Sequence, residues 1–170
     1  TKEVLSTLCL DRASGEVRWQ KDVEFEGRRP GANSFASPTP VTDGEHVFVL
    51  FHHAGLIAYD RAGEELWRKD LGEFNIPHGM ASSPVLHGDT LVQLVDQDTG
   101  SFLAAYDKKS GDELWKVERG GFTHSYSTPA IYVPDEGDAQ VVVSGALEVA
   151  SYRLSDGEKL WWAGGSAWLT

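Results

Sequence analysis

The chain has 170 residues, with 15 Lys and Arg against 26 Asp and Glu, giving a formal net charge of −11. Its 41% hydrophobic content suffices for the core of one ordinary domain, and no run of about 18 apolar residues exists to cross a membrane. The acidic balance excludes a nucleic-acid binder, which needs a basic face, and the single cysteine, Cys9, excludes an intramolecular disulfide or an all-cysteine metal cage.

In chain order, the first strand is predicted near Val4–Asp11, with Glu16–Lys21 as its outer partner. Four strands follow at Ser37–Thr42, Val47–His52, Leu56–Asp60 and Glu65–Lys69. Asp43-Gly44, Ala54-Gly55 and Ala62-Gly63 separate them, turn pairs that tolerate positive φ. The next four are Ser82–Leu86, Leu91–Asp96, Phe102–Asp107 and Asp112–Val117. The last four are Thr128–Val133, Ala139–Ser144, Leu147–Arg153 and Glu158–Trp162. No segment sustains a 3.6-residue period, so helix is expected to be nearly absent. Thr1 looks like a cut end, so the missing signal peptide says nothing about export.

A repeat underlies this order. Cys9-Leu-Asp-Arg-Ala-Ser-Gly15 leads to Trp19, Ala58-Tyr-Asp-Arg-Ala-Gly63 to Trp67, Ala105-Tyr-Asp-Lys-Lys-Ser-Gly111 to Trp115, and Ser151-Tyr-Arg-Leu-Ser-Asp-Gly157 to Trp161. The tryptophans lie 48, 48 and 46 residues apart. A second marker, Ser37-Pro-Thr-Pro40, Ser82-Ser-Pro84 and Ser127-Thr-Pro129, keeps the same phase, its last prolines 44 and 45 residues apart. Four antiparallel strands per repeat of this length make a propeller blade. Mechanically, the motif is a turn whose Gly accepts a left-handed conformation, a small residue that leaves room for a large neighbour, and a Trp that offers a broad face for packing between blades.

At these residues the sequence resembles the PQQ-like β-propeller repeat family, whose tryptophan-docking signature is Ala-x-Asp-x-x-Thr-Gly-x-x-x-Trp. Trp19, Trp67, Trp115 and Trp161, with Gly15, Gly63, Gly111 and Gly157, carry the likeness. The chain departs from it at Cys9 and Ser151 for Ala, at Arg153 for Asp, and at Ser14, Ala62, Ser110 and Asp156 for Thr. The segment Asp96-Gln-Asp98 to Ser101-Phe-Leu, followed by Asp107-Lys-Lys-Ser-Gly111, is similar to bacterial proteins of this family. The family includes calcium- and quinone-dependent alcohol dehydrogenases and the non-enzymatic outer-membrane assembly scaffold BamB.

The expected fold is therefore all-β, a propeller segment of about three and a half four-stranded antiparallel blades. Residues 1–21 end one blade, 22–69, 70–117 and 118–162 form three, and 163–170 lead into the next. The resemblance implies a ring of seven or eight blades, completed by other blades or by another chain. It also implies an extracytoplasmic, periplasmic location.

Loops before the innermost strands place Asn33, His78, Met80, His124 and Tyr126 near one channel mouth, where a propeller can bind a ligand. Two histidines there lack a third metal ligand, and plain loop polarity accounts for the same residues. Asp96 and Asp98 have a spacing used in calcium loops, but the glycine and the closing glutamate are missing, and a solvated turn fits better. His52-His53 falls at a hairpin tip. Family dehydrogenases place adjacent cysteines and a Trp around their quinone, whereas Cys9 stands alone in the small-residue slot.

The expected function is a non-enzymatic protein-binding or assembly scaffold without cofactor, its partners being proteins or the remaining blades. The alternative is part of a PQQ- and calcium-dependent alcohol or sugar dehydrogenase whose cofactor residues lie outside this chain. A third possibility is a carbohydrate- or peptide-binding channel using Tyr126, Phe35 and the histidines.

Overall fold

The computed structural model describes residues 2–26, 34–121 and 123–164, and these form strands and turns without a helix. Strands β1 (Lys2–Leu10) and β2 (Val17–Glu26) pair into a two-stranded sheet. The first four-stranded sheet is β3 (Val41–Thr42), β4 (His46–Phe51), β5 (Gly55–Asp60) and β6 (Glu65–Lys69). The second is β7 (Val85–His87), β8 (Thr90–Val95), β9 (Phe102–Asp107) and β10 (Glu113–Glu118). The third is β11 (Ala130–Tyr132), β12 (Gln140–Ser144), β13 (Glu148–Arg153) and β14 (Lys159–Gly164). Each is an antiparallel meander, so the chain is an all-β arc of three blades and the outer half of a fourth.

The strand limits depart most from the sequence reading at β2 and at the innermost strands. β2 runs on to Glu26, five residues beyond Lys21, because Val23 and Phe25 pack against the neighbouring sheet. The innermost strands β3, β7 and β11 are only two or three residues long. Pro40, Pro84 and Pro129 lack the N–H that a longer ladder needs, so pairing starts after them. The residues before them bond between blades instead. The Thr39 amide donates to Ser83 Oγ at 2.8 Å, and the Ser83 amide to Thr128 Oγ1 at 3.0 Å.

The outer strand of every sheet carries one extra residue at the same place in the repeat. Ala58 pairs with Trp67, yet Tyr59 pairs with Glu65, leaving Leu66 as the bulge. Arg18, Leu114 and Leu160 are bulged in the same way. The bulge leaves these leucines partly exposed and aims the tryptophan that follows at the next blade.

The core lies between blades. Phe48, Leu50, Leu56 and Ala58 of the first full sheet meet Leu91, Val95, Phe102, Ala104 and Tyr106 of the second. Val92, Leu94, Leu103 and Ala105 meet Val141, Val143, Ala150 and Tyr152 of the third. Leu5 and Phe25 of the two-stranded sheet pack with Val49, Phe51, Ile57 and Tyr59.

At each junction a tryptophan lies against the motif glycine of the next blade. Trp19 covers Gly63, Trp67 covers Gly111 and Trp115 covers Gly157, and a Cβ on any of these glycines would fall 2.7 Å from the ring. Each indole N–H also donates to the carbonyl two or three residues before that glycine: Trp19 to Arg61 at 3.0 Å, Trp67 to Lys108 at 2.9 Å and Trp115 to Leu154 at 2.8 Å. The motif aspartate ties the turn. Asp107 Oδ1 accepts from the amides of Lys109 and Ser110, and Asp11 Oδ1 from those of Ala13 and Ser14.

The fourth motif has Arg153 where the others have aspartate, and there the wiring changes. Asp156 accepts both from the Arg153 guanidinium, at 2.8 Å, and from the Glu158 amide, at 3.0 Å. Asp156 Oδ1 thus makes the bond that Ser14 Oγ and Ser110 Oγ make to the Glu16 and Asp112 amides in the other turns.

Candidate functional site

One face of the arc is built from the links between blades and from the tips of the two middle strands of each blade. Tip and link meet repeatedly there. The Met80 amide donates to His52 Nδ1 at 3.1 Å, and the Asn75 amide to Gln97 Oε1 at 2.8 Å. His124 Nδ1 lies 2.6 Å from Asp98 Oδ1, with Thr123 Oγ1 3.3 Å from the same oxygen.

Of the residues expected at the channel mouth, three come together. The Tyr126 ring centroid lies 5.8 Å from that of His124 and 6.0 Å from that of His78. His78 is exposed, whereas the Tyr126 hydroxyl is buried beside the His78 backbone. Burial raises its pKa above the ordinary tyrosine value. The His124 hydrogen bond holds the Asp98 carboxyl below its usual range, so the pair presents a carboxylate that fixes one imidazole.

Met80 does not join them. It is wholly buried in the core with Phe48, Leu56 and Tyr106, because its unbranched side chain fills the gap beneath the link. Asn33 lies outside the described residues. Phe35 packs instead against Phe25, His52 and His53.

Asp96 is not part of a solvated turn. Its carboxylate is fully buried and takes a two-pronged ion pair from Arg119, Nε to Oδ1 at 2.7 Å and Nη2 to Oδ2 at 3.1 Å. Arg119 also donates to the Tyr152 hydroxyl of the next blade. Burial presses the Asp96 carboxyl upward against the pull of Arg119. Gly145 makes room for the pair: a Cβ there would fall 2.8 Å from Arg119 Nη2. Sequence reasoning missed this network, since 23 residues separate acid from base and no spacing rule links them.

The His52-His53 tip is more than a turn. Both rings stack in an aromatic cluster with Phe25, Phe35 and Phe74, and beside them opens a cleft of about 510 Å³ lined also by Asp70 and Glu73. Burial, with His53 beside it, lowers the His52 pKa from 6.5 to about 4, so it is a neutral acceptor at neutral pH.

The family model described as outer membrane protein assembly factor BamB matches residues 5–166. The chain belongs to this PQQ-like repeat family. No curated protein sequence matches it. Among solved structures it is similar to BamB from Moraxella catarrhalis, with TM-score 0.60 and 20% identity over 93% of this chain and 46% of that one. It is also similar to a quinohemoprotein alcohol dehydrogenase from Pseudomonas putida HK5, with TM-score 0.69 and 16% identity over 95% of this chain and 32% of that one. A quinohemoprotein alcohol dehydrogenase from Comamonas testosteroni gives TM-score 0.52 and 18% identity over 78% of this chain and 22% of that one. At these identities the likeness shows the fold, and the chain spans less than half the length of each.

The family implies a quinone and calcium in some members. The described residues do not fit that pair: Asp96 is taken by Arg119, Asp98 by His124, and Cys9 stands opposite Trp19 in a strand pair. No group of three or more His, Cys, Asp or Glu among the described residues is arranged to hold a metal ion. Among the described residues no helix is long and apolar enough to cross a membrane, which says nothing of a β-barrel.

Proposed function

We propose that the chain is part of a seven- or eight-bladed, non-enzymatic PQQ-like propeller that serves as an extracytoplasmic scaffold for binding or assembling proteins. The observation that carries this reading is the link face itself. His78, the His124–Asp98 pair and Tyr126 stand on loops anchored to rigid sheets, while Asp96 and Asp98, the two carboxylates at calcium-loop spacing, are engaged by Arg119 and His124. The net charge of −11 favours partners with basic surfaces. The periplasmic location rests on the family.

Calorimetric titration with pyrroloquinoline quinone, with and without calcium, tests the absence of a cofactor. No saturable heat is expected; calcium-dependent saturation would overturn the non-enzymatic reading. Binding of basic peptides, measured on the protein and on a His78→Ala, His124→Ala, Tyr126→Ala variant, tests the face. At least a tenfold loss is expected in the variant, and unchanged affinity would move the binding surface elsewhere.

A further inference from the structure

The tip between β8 and β9 ties together the two links that carry the candidate face. The Asp98 amide donates to the Asn75 carbonyl at 3.1 Å and the Asn75 amide to Gln97 Oε1 at 2.8 Å, so the tip holds the link on which His78 stands. Ser101 Oγ accepts from the Gln97 amide at 2.9 Å and donates to the Gln97 carbonyl at 2.7 Å, which closes the tip on itself. On its other side the Asp98 carboxylate holds the next link, through His124 at 2.6 Å and Thr123 at 3.3 Å.

The bond to Asp98 decides what His124 offers. A carboxylate only accepts, so the proton of the neutral imidazole sits on Nδ1 and Nε2 keeps its lone pair. A carboxylate placed in this way fixes both the tautomer and the orientation of the ring. None of the described residues bonds to Nε2, and no lysine or arginine among them pairs with Asp98. His124, Asp98 and the Tyr126 ring, 5.8 Å from that of His124, therefore present an acceptor, a negative charge and an aromatic surface together.

The same tip shows what fills such a set. Two residues before Asp98, the Asp96 carboxylate is paired with the Arg119 guanidinium, whose carbon lies 5.7 Å from the centre of the Tyr152 ring. A planar guanidinium serves a carboxylate and an aromatic ring at once, which a point-charge ammonium does less well. Around Asp98 the carboxylate and the tyrosine recur, and no arginine among the described residues accompanies them.

We propose that the Asp98–His124–Tyr126 cluster binds an arginine side chain of the partner protein. One guanidinium N–H donates to His124 Nε2 beside the Asp98 carboxylate, and the guanidinium plane lies against the aromatic rings. His124 and Tyr126 touch the ligand, and Asp98 acts as a positioning residue that also supplies charge. This inference rests on the reading of the link face as a protein-binding surface and names the group which that surface recognises.

Two measurements test it. Long-range proton–nitrogen correlation spectra of the protein at neutral pH read the His124 tautomer. A protonated Nδ1 and a bare Nε2 are expected, and Asp98→Asn is expected to mix the two tautomers. A proton on Nε2, or a tautomer indifferent to Asp98→Asn, would overturn the proposal. Fluorescence anisotropy then compares a short labelled peptide carrying one arginine with the same peptide carrying citrulline, which keeps the shape and loses the charge. The arginine peptide is expected to bind at least about tenfold more tightly, the effect of one charge-assisted hydrogen bond. His124→Phe, which keeps a ring and removes the acceptor, and Asp98→Asn are each expected to abolish that preference. Equal affinity for the two peptides, or a preference that survives both variants, would overturn the proposal. Basic peptides that still bind and still require His78, His124 and Tyr126 would then leave the link face as a binding surface of another specificity. If no basic peptide binds the unmodified protein, the binding-surface reading falls and this inference falls with it. Thermal melts check that both variants fold, and the comparison of peptides on the unmodified protein needs neither.

Discussion

The ring of Trp67 occupies the space where a side chain on Gly111 would have to be, with Cδ2 2.7 Å from the position of a Cβ, while its Nε1 donates to Lys108 at 2.9 Å. Gly111 also has φ of +74°, so its lack of a side chain answers two demands at once, backbone conformation and space for the neighbouring ring. Trp67→Ala is expected to cost about 3 kcal/mol in urea unfolding, since the ring closes the core between two sheets. Trp161→Ala, in the same motif but exposed, is expected to cost less than about 1 kcal/mol in this chain. Equal losses at both positions would contradict the junction described above.

Asp96 and Arg119 are expected to behave as a buried pair. Removing either partner alone, by Asp96→Ala or Arg119→Ala, leaves an uncompensated buried charge and is expected to cost about 3–5 kcal/mol. Asp96→Leu with Arg119→Met removes both charges and is expected to be less destabilised than either single variant. Urea midpoints of the three proteins decide it, and a double variant as unstable as the sum of the singles would contradict the pairing.

His52 makes the fold sensitive to mild acid. Its pKa is lowered in the folded chain, to about 4 from 6.5, so the unfolded chain takes up a proton first as pH falls. The stability it contributes is complete above pH 6.5 and is lost progressively between 6.5 and 4. Protonation at Nδ1 would also remove the acceptor of the Met80 amide. The melting temperature is expected to fall across this window, and His52→Asn, which keeps an acceptor and cannot titrate, is expected to flatten the fall. An equal slope in both proteins would assign the effect to other groups.

His78 and His124 are expected to be dispensable for folding. His78 is exposed, and the His124–Asp98 pair lies at the surface, where such pairs contribute about 0–1 kcal/mol. A His78→Ala, His124→Ala double variant is expected to unfold within about 1 kcal/mol of the parent by thermal or urea melting. A larger loss would make these residues part of the framework.

Ser83 joins three blades at the inner edge, its hydroxyl accepting from Thr39 and its amide donating to Thr128. Ser83→Ala removes one of these bonds and is expected to cost about 1 kcal/mol. Ser83→Thr keeps the hydroxyl and is expected to recover most of that loss in the same assay.

The repeat was legible in the chain because its physics is local and periodic. Alternating strands, glycine turns at φ above zero and a Trp at fixed phase specify a blade wherever they occur, and the three four-stranded sheets follow that register. Proline spacing marked the inner edge, although the bonds it organises, Thr39 to Ser83 to Thr128, cross between repeats.

What the tertiary structure alone decided are encounters between distant segments. Met80 belongs to the core and His124 to the surface, although both precede an inner strand, because a link residue's fate depends on which tip folds over it. Asp96 had the local appearance of a polar turn and became a buried ion only because Arg119 and Gly145 close around it. Composition and period determine elements and their order; desolvation and pairing of individual side chains are set by neighbours that the period does not name.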